Sequence, residues 1–164
     1  MVYNIGNTIR QITTTLSQIF WRWDKNFGNE MAVYLHLTEK EKVRGRITYS
    51  FLNDQELSAY FNEQECLERI EVPIFVHWET EFLIGTEYET ILNDFYSIYE
   101  QAVDITSSVL GSAKFNGDLE NPDFPDEFDV LKVAIWNIYN ARLIIYIEHQ
   151  DREVPIVIAI GVLK

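Results

Sequence analysis

Residues 142–163 constrain the fold more than any other stretch of this chain. They read Arg-Leu-Ile-Ile-Tyr-Ile-Glu-His, a polar turn at residues 150–153, and then Val-Pro-Ile-Val-Ile-Ala-Ile-Gly-Val-Leu. Two β-branched runs on either side of a short charged turn predict a β-hairpin. The second run, residues 156–160, has no polar alternation. A strand that is apolar on both faces must be covered on both, which places it centrally in a sheet. Each fully buried Ile or Val there contributes roughly 1.5–3 kcal/mol. Ile156, Val157, Ile158 and Ile160 are therefore the expected heart of the core.

The rest of the chain is read outward from that hairpin. Ile5, Ile9, Ile12, Leu16, Ile19 and Trp23 recur every three or four residues and predict an amphipathic helix, with Asn4 as its N-cap. Asn26, Gly28 and Asn29 end it. Residues 31–37 read as a strand and residues 43–51 as its partner, with a turn at 38–42. In the second of these, Val43, Gly45, Ile47, Tyr49 and Phe51 alternate with polar neighbours. Asn53 and Glu56 suggest the start of a short helix carrying Leu57, Tyr60 and Phe61. Residues 72–78 read as a strand, and Pro73 points to an edge position or a first strand residue. Thr86 and Glu89 form a capping-box signature before a long stripe running from Tyr88 through Phe95, Tyr99 and Val103 to Leu110, closed by Gly111. Residues 112–129 are expected to be irregular. The Val, Ile, Trp and Tyr content of residues 130–139 favours a third strand before the hairpin. The expected fold class is α+β: a mainly antiparallel sheet with a C-terminal hairpin or meander and helices packed on it, in one domain spanning residues 1–164.

Cys66 is the only cysteine, so no internal disulfide can form and a reducing compartment is expected. The first residues carry neither a basic segment nor an apolar run, and residue 2 is Val, so neither a signal peptide nor myristoylation is expected. A cytoplasmic location follows from this reading. The formal net charge of −13 argues against nucleic acid and against anionic membrane surfaces as partners.

The histidines, His36, His77 and His149, belong to no HExxH motif. On a strand His77, Glu79 and Glu81 would share a face, but a closed metal site wants more convergent ligands. His149 and Asp151 flank a turn, where an ordinary hydrogen bond is the expected role. Cys66 lies among Glu63, Glu65 and Glu68, with Arg69 as the lone opposing charge, and those surroundings disfavour a thiolate. Residues 118–122 lack the EF-hand spacing, and no GxGxxG, Walker A or G-x-S-x-G pattern occurs. No cofactor, metal or catalytic residue is assigned. The basic cluster Lys40, Lys42, Arg44 and Arg46 is interrupted by acids and reads as a solvated hairpin end.

Charge is segregated along the chain. Residues 1–52 carry a net +3, residues 53–129 a net −17 and residues 130–164 a net +1. This predicts a non-enzymatic module whose acidic middle meets a basic protein. The expected interface is Glu63, Glu65, Glu68, Asp118, Glu120, Asp123, Asp126 and Glu127, with Trp78, Phe124 and Phe128 as apolar anchors. In size, acidity and α+β build the chain is similar to bacterial immunity or antitoxin proteins that cap basic toxin nucleases. That similarity is one of class and transfers no residue. The competing reading is a small hydrolase or metal-binding protein using His77 or His149 with nearby carboxylates.

Overall fold

The computed structural model describes residues 5–52, 55–80, 83–151 and 153–164. Eight strands form one antiparallel sheet in the order β1-β2-β3-β4-β8-β7-β6-β5. They are β1 (Thr38–Val43), β2 (Arg46–Phe51), β3 (Gln55–Phe61), β4 (Leu67–His77), β5 (Phe115–Asp118), β6 (Lys132–Ile138), β7 (Ala141–Glu148) and β8 (Ile156–Leu163). The helices are α1 (Ile5–Ser17), α2 (Phe27–Tyr34) and α3 (Thr86–Leu110). The sheet is thus two four-stranded meanders. Helix α3 carries the chain from β4, in the middle, to β5 at the far edge. The second meander then returns until β8 pairs with β4.

The hairpin of β7 and β8 is where the apolar runs place it, and β8 is interior. Its alternate residues Ile156, Ile158, Ile160 and Val162 are fully buried in the core shared with α1 and α3. On α3 the buried face is Phe95, Tyr99, Ala102, Val103 and Thr106. On α1 it is Ile9, Ile12, Thr13 and Leu16. The two helices touch through a buried hydroxyl pair, Thr13 Oγ1 to Thr106 Oγ1 at 3.1 Å.

Several local expectations are corrected. Helix α1 ends at Ser17, before Ile19 and Trp23. Trp21 is buried beyond the helix end and its indole N–H donates to the Leu16 carbonyl at 3.1 Å. Residues 31–37 are not a strand: Phe27–Tyr34 is helix α2. The Asp24 carboxylate accepts from the N–H groups of Asn26 and Phe27, both at 3.0 Å, and Phe27, Gly28 and Met31 bury one side. Capping and burial outweigh the strand preference of Val33 and Tyr34, which are exposed. Residues 38–42 are not a turn but most of β1, a fully exposed edge strand whose alternating Lys and Glu discourage edge-to-edge pairing. The turn falls at Arg44 and Gly45, where a φ of 75° suits glycine.

Residues 55–61 are strand rather than helix. Leu57 and Ala59 face the helix-side core with Phe61, while Ser58 and Tyr60 alternate to the other face. The proposed cap Asn53 lies outside the described residues, as do Asn4, Glu81 and Arg152. Strand β4 is interior, not an edge. Its pairing with β3 runs only to Glu71, and its register with β8 shifts between Pro73 and Phe75, so the proline sits at a bulge. The bulge lets Ile74 and Phe75 both reach the helix side, with the Phe75 ring 4.9 Å from that of Phe95. Helix α3 starts where expected, but Gly85 occupies the N-cap and no capping-box bond forms. Within the segment expected to be irregular, residues 115–118 form β5. No helix among the described residues is long and apolar enough to cross a membrane.

Candidate functional site

The helices cover one face of the sheet, and the acid-rich segment covers part of the other. On that second face Val133, Ile135, Ile144, Tyr146 and Ala159 are buried beneath Phe115, Phe124, Phe128 and Val130. The Phe115 and Phe124 rings meet edge to face at 6.0 Å. Residues 119–131 are held down by a local turn, in which Phe124 N–H donates to the Asn121 carbonyl at 3.0 Å, and by a bond to β7, from Leu131 N–H to the Ile147 carbonyl at 2.8 Å. The Arg142 guanidinium on β7 binds the Glu127 carboxylate and donates to the Lys164 carbonyl at 2.9 Å. The acids Asp118, Glu120, Asp123, Asp126, Glu127 and Asp129 remain exposed on this clamped segment.

Beside the loop lies a groove of about 390 Å³. Its strand side is built by register. Tyr60 pairs with Arg69, Arg69 with Leu163, and Glu71 with Gly161, which pairs in turn with Ile144. Gly161 lets the Ile144 side chain pack close over the backbone of β8. A Cβ there would lie 3.2 Å from Ile144 and 3.3 Å from the Ile70 carbonyl oxygen. The loop side is Glu127, Phe128, Asp129 and Val130.

The groove's polar groups are mutually dependent. The Arg69 guanidinium lies 4.3 Å over the Tyr60 ring, with its Nε 3.5 Å from Glu71. Burial raises the Tyr60 hydroxyl above its ordinary pKa, helped by the Glu71 charge. Tyr146 is pushed up much further, first by burial, then by the charges of Glu71 and Glu148. The Glu71 charge thus acts on two phenols, and its carboxylate is paired with one guanidinium. Half-burial raises the Glu148 carboxyl, with Glu71 and Asp129 adding repulsion and Arg69 opposing it.

The sequence-derived interface residues fall into separate groups. Glu127 and Phe128 join the groove wall, and Phe124 packs on the sheet with one edge open. Glu63, Glu65 and Glu68 lie at the β3–β4 turn and the start of β4, where Glu65 is paired with Lys25 at 2.7 Å. That pairing lowers the Glu65 pKa, through its hydrogen bond and charge. Trp78 stands 75% exposed beyond β4. His77 Nε2 lies 3.3 Å from the nearby Glu79 carbonyl, whereas His149 Nδ1 lies 3.0 Å from the Tyr88 hydroxyl on α3 rather than bonding within its turn, and neither lines the groove. Among the described residues no three His, Cys, Asp or Glu side chains are grouped to hold a metal ion.

The sequence alone gives Tyr60, Arg69, Glu71, Tyr146 and Glu148 no shared site. They come from three strands, β3, β4 and β7, that only sheet register unites. The available signal was Gly161 within an apolar strand, where a glycine marks a close approach or an opening.

No protein-family model matches the chain, and neither does any curated protein. Among solved structures it is similar to the crystal structure of a DUF4309 family protein (YjgB) from Bacillus subtilis, with 10% identity and a TM-score of 0.39 over 98% of this chain and 93% of that one.

Proposed function

We propose that this chain is a non-enzymatic protein-binding module whose acidic loop face engages a basic partner, in the manner of an immunity or antitoxin-like inhibitor. One observation carries the reading: the acids of residues 118–129 are displayed on a segment fastened to the sheet by Phe124, Phe128 and Arg142. A fastened anionic surface loses little conformational entropy on binding, and its field speeds encounter with a cationic protein. The competing hydrolase reading needs His77 or His149 to converge with carboxylates in a pocket, and no observation favours it. The test is capture from the native host at low salt. It compares the unmodified protein with a variant carrying Asp118→Asn, Glu120→Gln, Asp123→Asn and Asp126→Asn. The expected result is a basic protein retained by the first, released as salt rises, and lost by the second. Equal retention by both would sink the reading.

A further inference from the structure

We propose that the groove beside Gly161 is a recognition pocket for an arginine side chain presented by the basic partner. This rests on the acidic-module reading and narrows it from a face to a pocket. Shape is the first support: a groove of about 390 Å³ runs between the loop and the strands, and the Ile144 side chain packs over the bare backbone of Gly161. The walls are the second. Tyr60 on the strand side and Phe128 on the loop side, both half-buried, supply aromatic surface for a planar cation, while Tyr146 is buried beneath them. The protein already uses this chemistry there, since its own Arg69 guanidinium lies 4.3 Å over the Tyr60 ring. Charge is the third. Among the described lining residues Arg69 is the lone cation, against Glu71, Glu127, Asp129 and Glu148. Glu127 is paired with Arg142, and Glu71 with Arg69. Asp129 and Glu148 have no ion pair among the described residues, although Gln150 donates to Glu148 at 2.7 Å. An incoming guanidinium would relieve their repulsion with a planar fork suited to carboxylates, which the point charge of a lysine matches less well.

The test is NMR titration of the full chain with N-acetylarginine amide, alongside the citrulline amide, which keeps the shape and lacks the charge, and the lysine amide. Arginine should shift the Arg69, Tyr146 and Gly161 amide signals. Citrulline should bind about ten-fold more weakly, the size of one charge-assisted pair. A Glu148→Gln, Asp129→Asn variant, checked for an unchanged fold by its amide spectrum, should lose a similar factor. If that variant fails to fold, Asp129→Asn alone serves, since Asp129 is exposed. Equal binding of citrulline and arginine, or shifts confined to residues 118–126, would overturn the pocket. Lysine binding as tightly as arginine would overturn its preference for a guanidinium. Loss of arginine binding at the groove with salt-sensitive capture intact would refute the pocket and leave the acidic module standing. Arginine binding without loop-dependent capture would do the reverse.

Discussion

Ile158 and Glu148 lie on adjoining strands and show how differently one sheet treats its two faces. Ile158 is fully buried on the helix side. Ile158→Ala should cost about 2–5 kcal/mol by urea unfolding, because the surrounding core closes only partly over the missing atoms. A cost below about 0.5 kcal/mol, typical of surface changes, would contradict that burial. Glu148 faces the groove, and its raised pKa has the opposite consequence for neutral pH. An acid that holds its proton longer in the folded state contributes stability at low pH, and loses it as pH rises from the unfolded value through the raised folded one. Glu148→Gln should therefore flatten the fall in stability across that window and leave the protein at least as stable at pH 7. Denaturant melts at several pH values measure this, and a variant that keeps the wild-type slope would show another group to be responsible. Ile158 was legible in the sequence, because an unbroken apolar run has one outcome. Glu148 was not, since its environment is Glu71 and Asp129, brought near by register and by a loop.

Elements were read well where apolar periodicity spans many residues and poorly where only a few residues decide. The stripe of α3, the hairpin of β7 and β8 and the strand β6 all stand as the pattern predicts. The short segments fail for physical reasons. Strand β1 has no buried face, so its charged sequence looks like a turn. Strand β3 carries Leu57, Tyr60 and Phe61 at a spacing that fits helix or strand, and the pairing of Leu57 with Tyr49 decides for the sheet. Helix α2 depends on Asp24, outside the helix itself. The contact between α1 and α3 gives a prediction at this scale. Thr13→Val alone should cost about 1–3 kcal/mol, because it strands the buried Thr106 hydroxyl. Adding Thr106→Val should recover part of that loss, as both polar groups are then gone. A double-mutant cycle on thermal or urea melts reads the coupling, and strict additivity would show that the two hydroxyls do not depend on each other.

Across the whole molecule the two meanders share one seam, the pairing of β4 with β8 from Arg69 opposite Leu163 to His77 opposite Ile156. Neither meander is closed without the other: β4 would expose the edge that β8 covers, and α3 spans the connection between them. The core on the helix face is also continuous, running from Tyr49 and Leu57 in the first meander through Ile70 and Val72 to Ile160 and Leu143 in the second. A continuous core and a shared seam make opening of either half alone costly, so both halves should unfold together. Edge strand β1, exposed along its whole length, has no such tie. Native-state hydrogen exchange with increasing denaturant tests this directly. Amides of β4, β7 and β8 should converge on one free energy of opening, equal to that of global unfolding, while those of β1 exchange at much lower cost. If β4 instead opened with β1 to β3 at one free energy and β7 with β8 at another, the seam would be an interface between separable units, and the groove that straddles it would not be a rigid site.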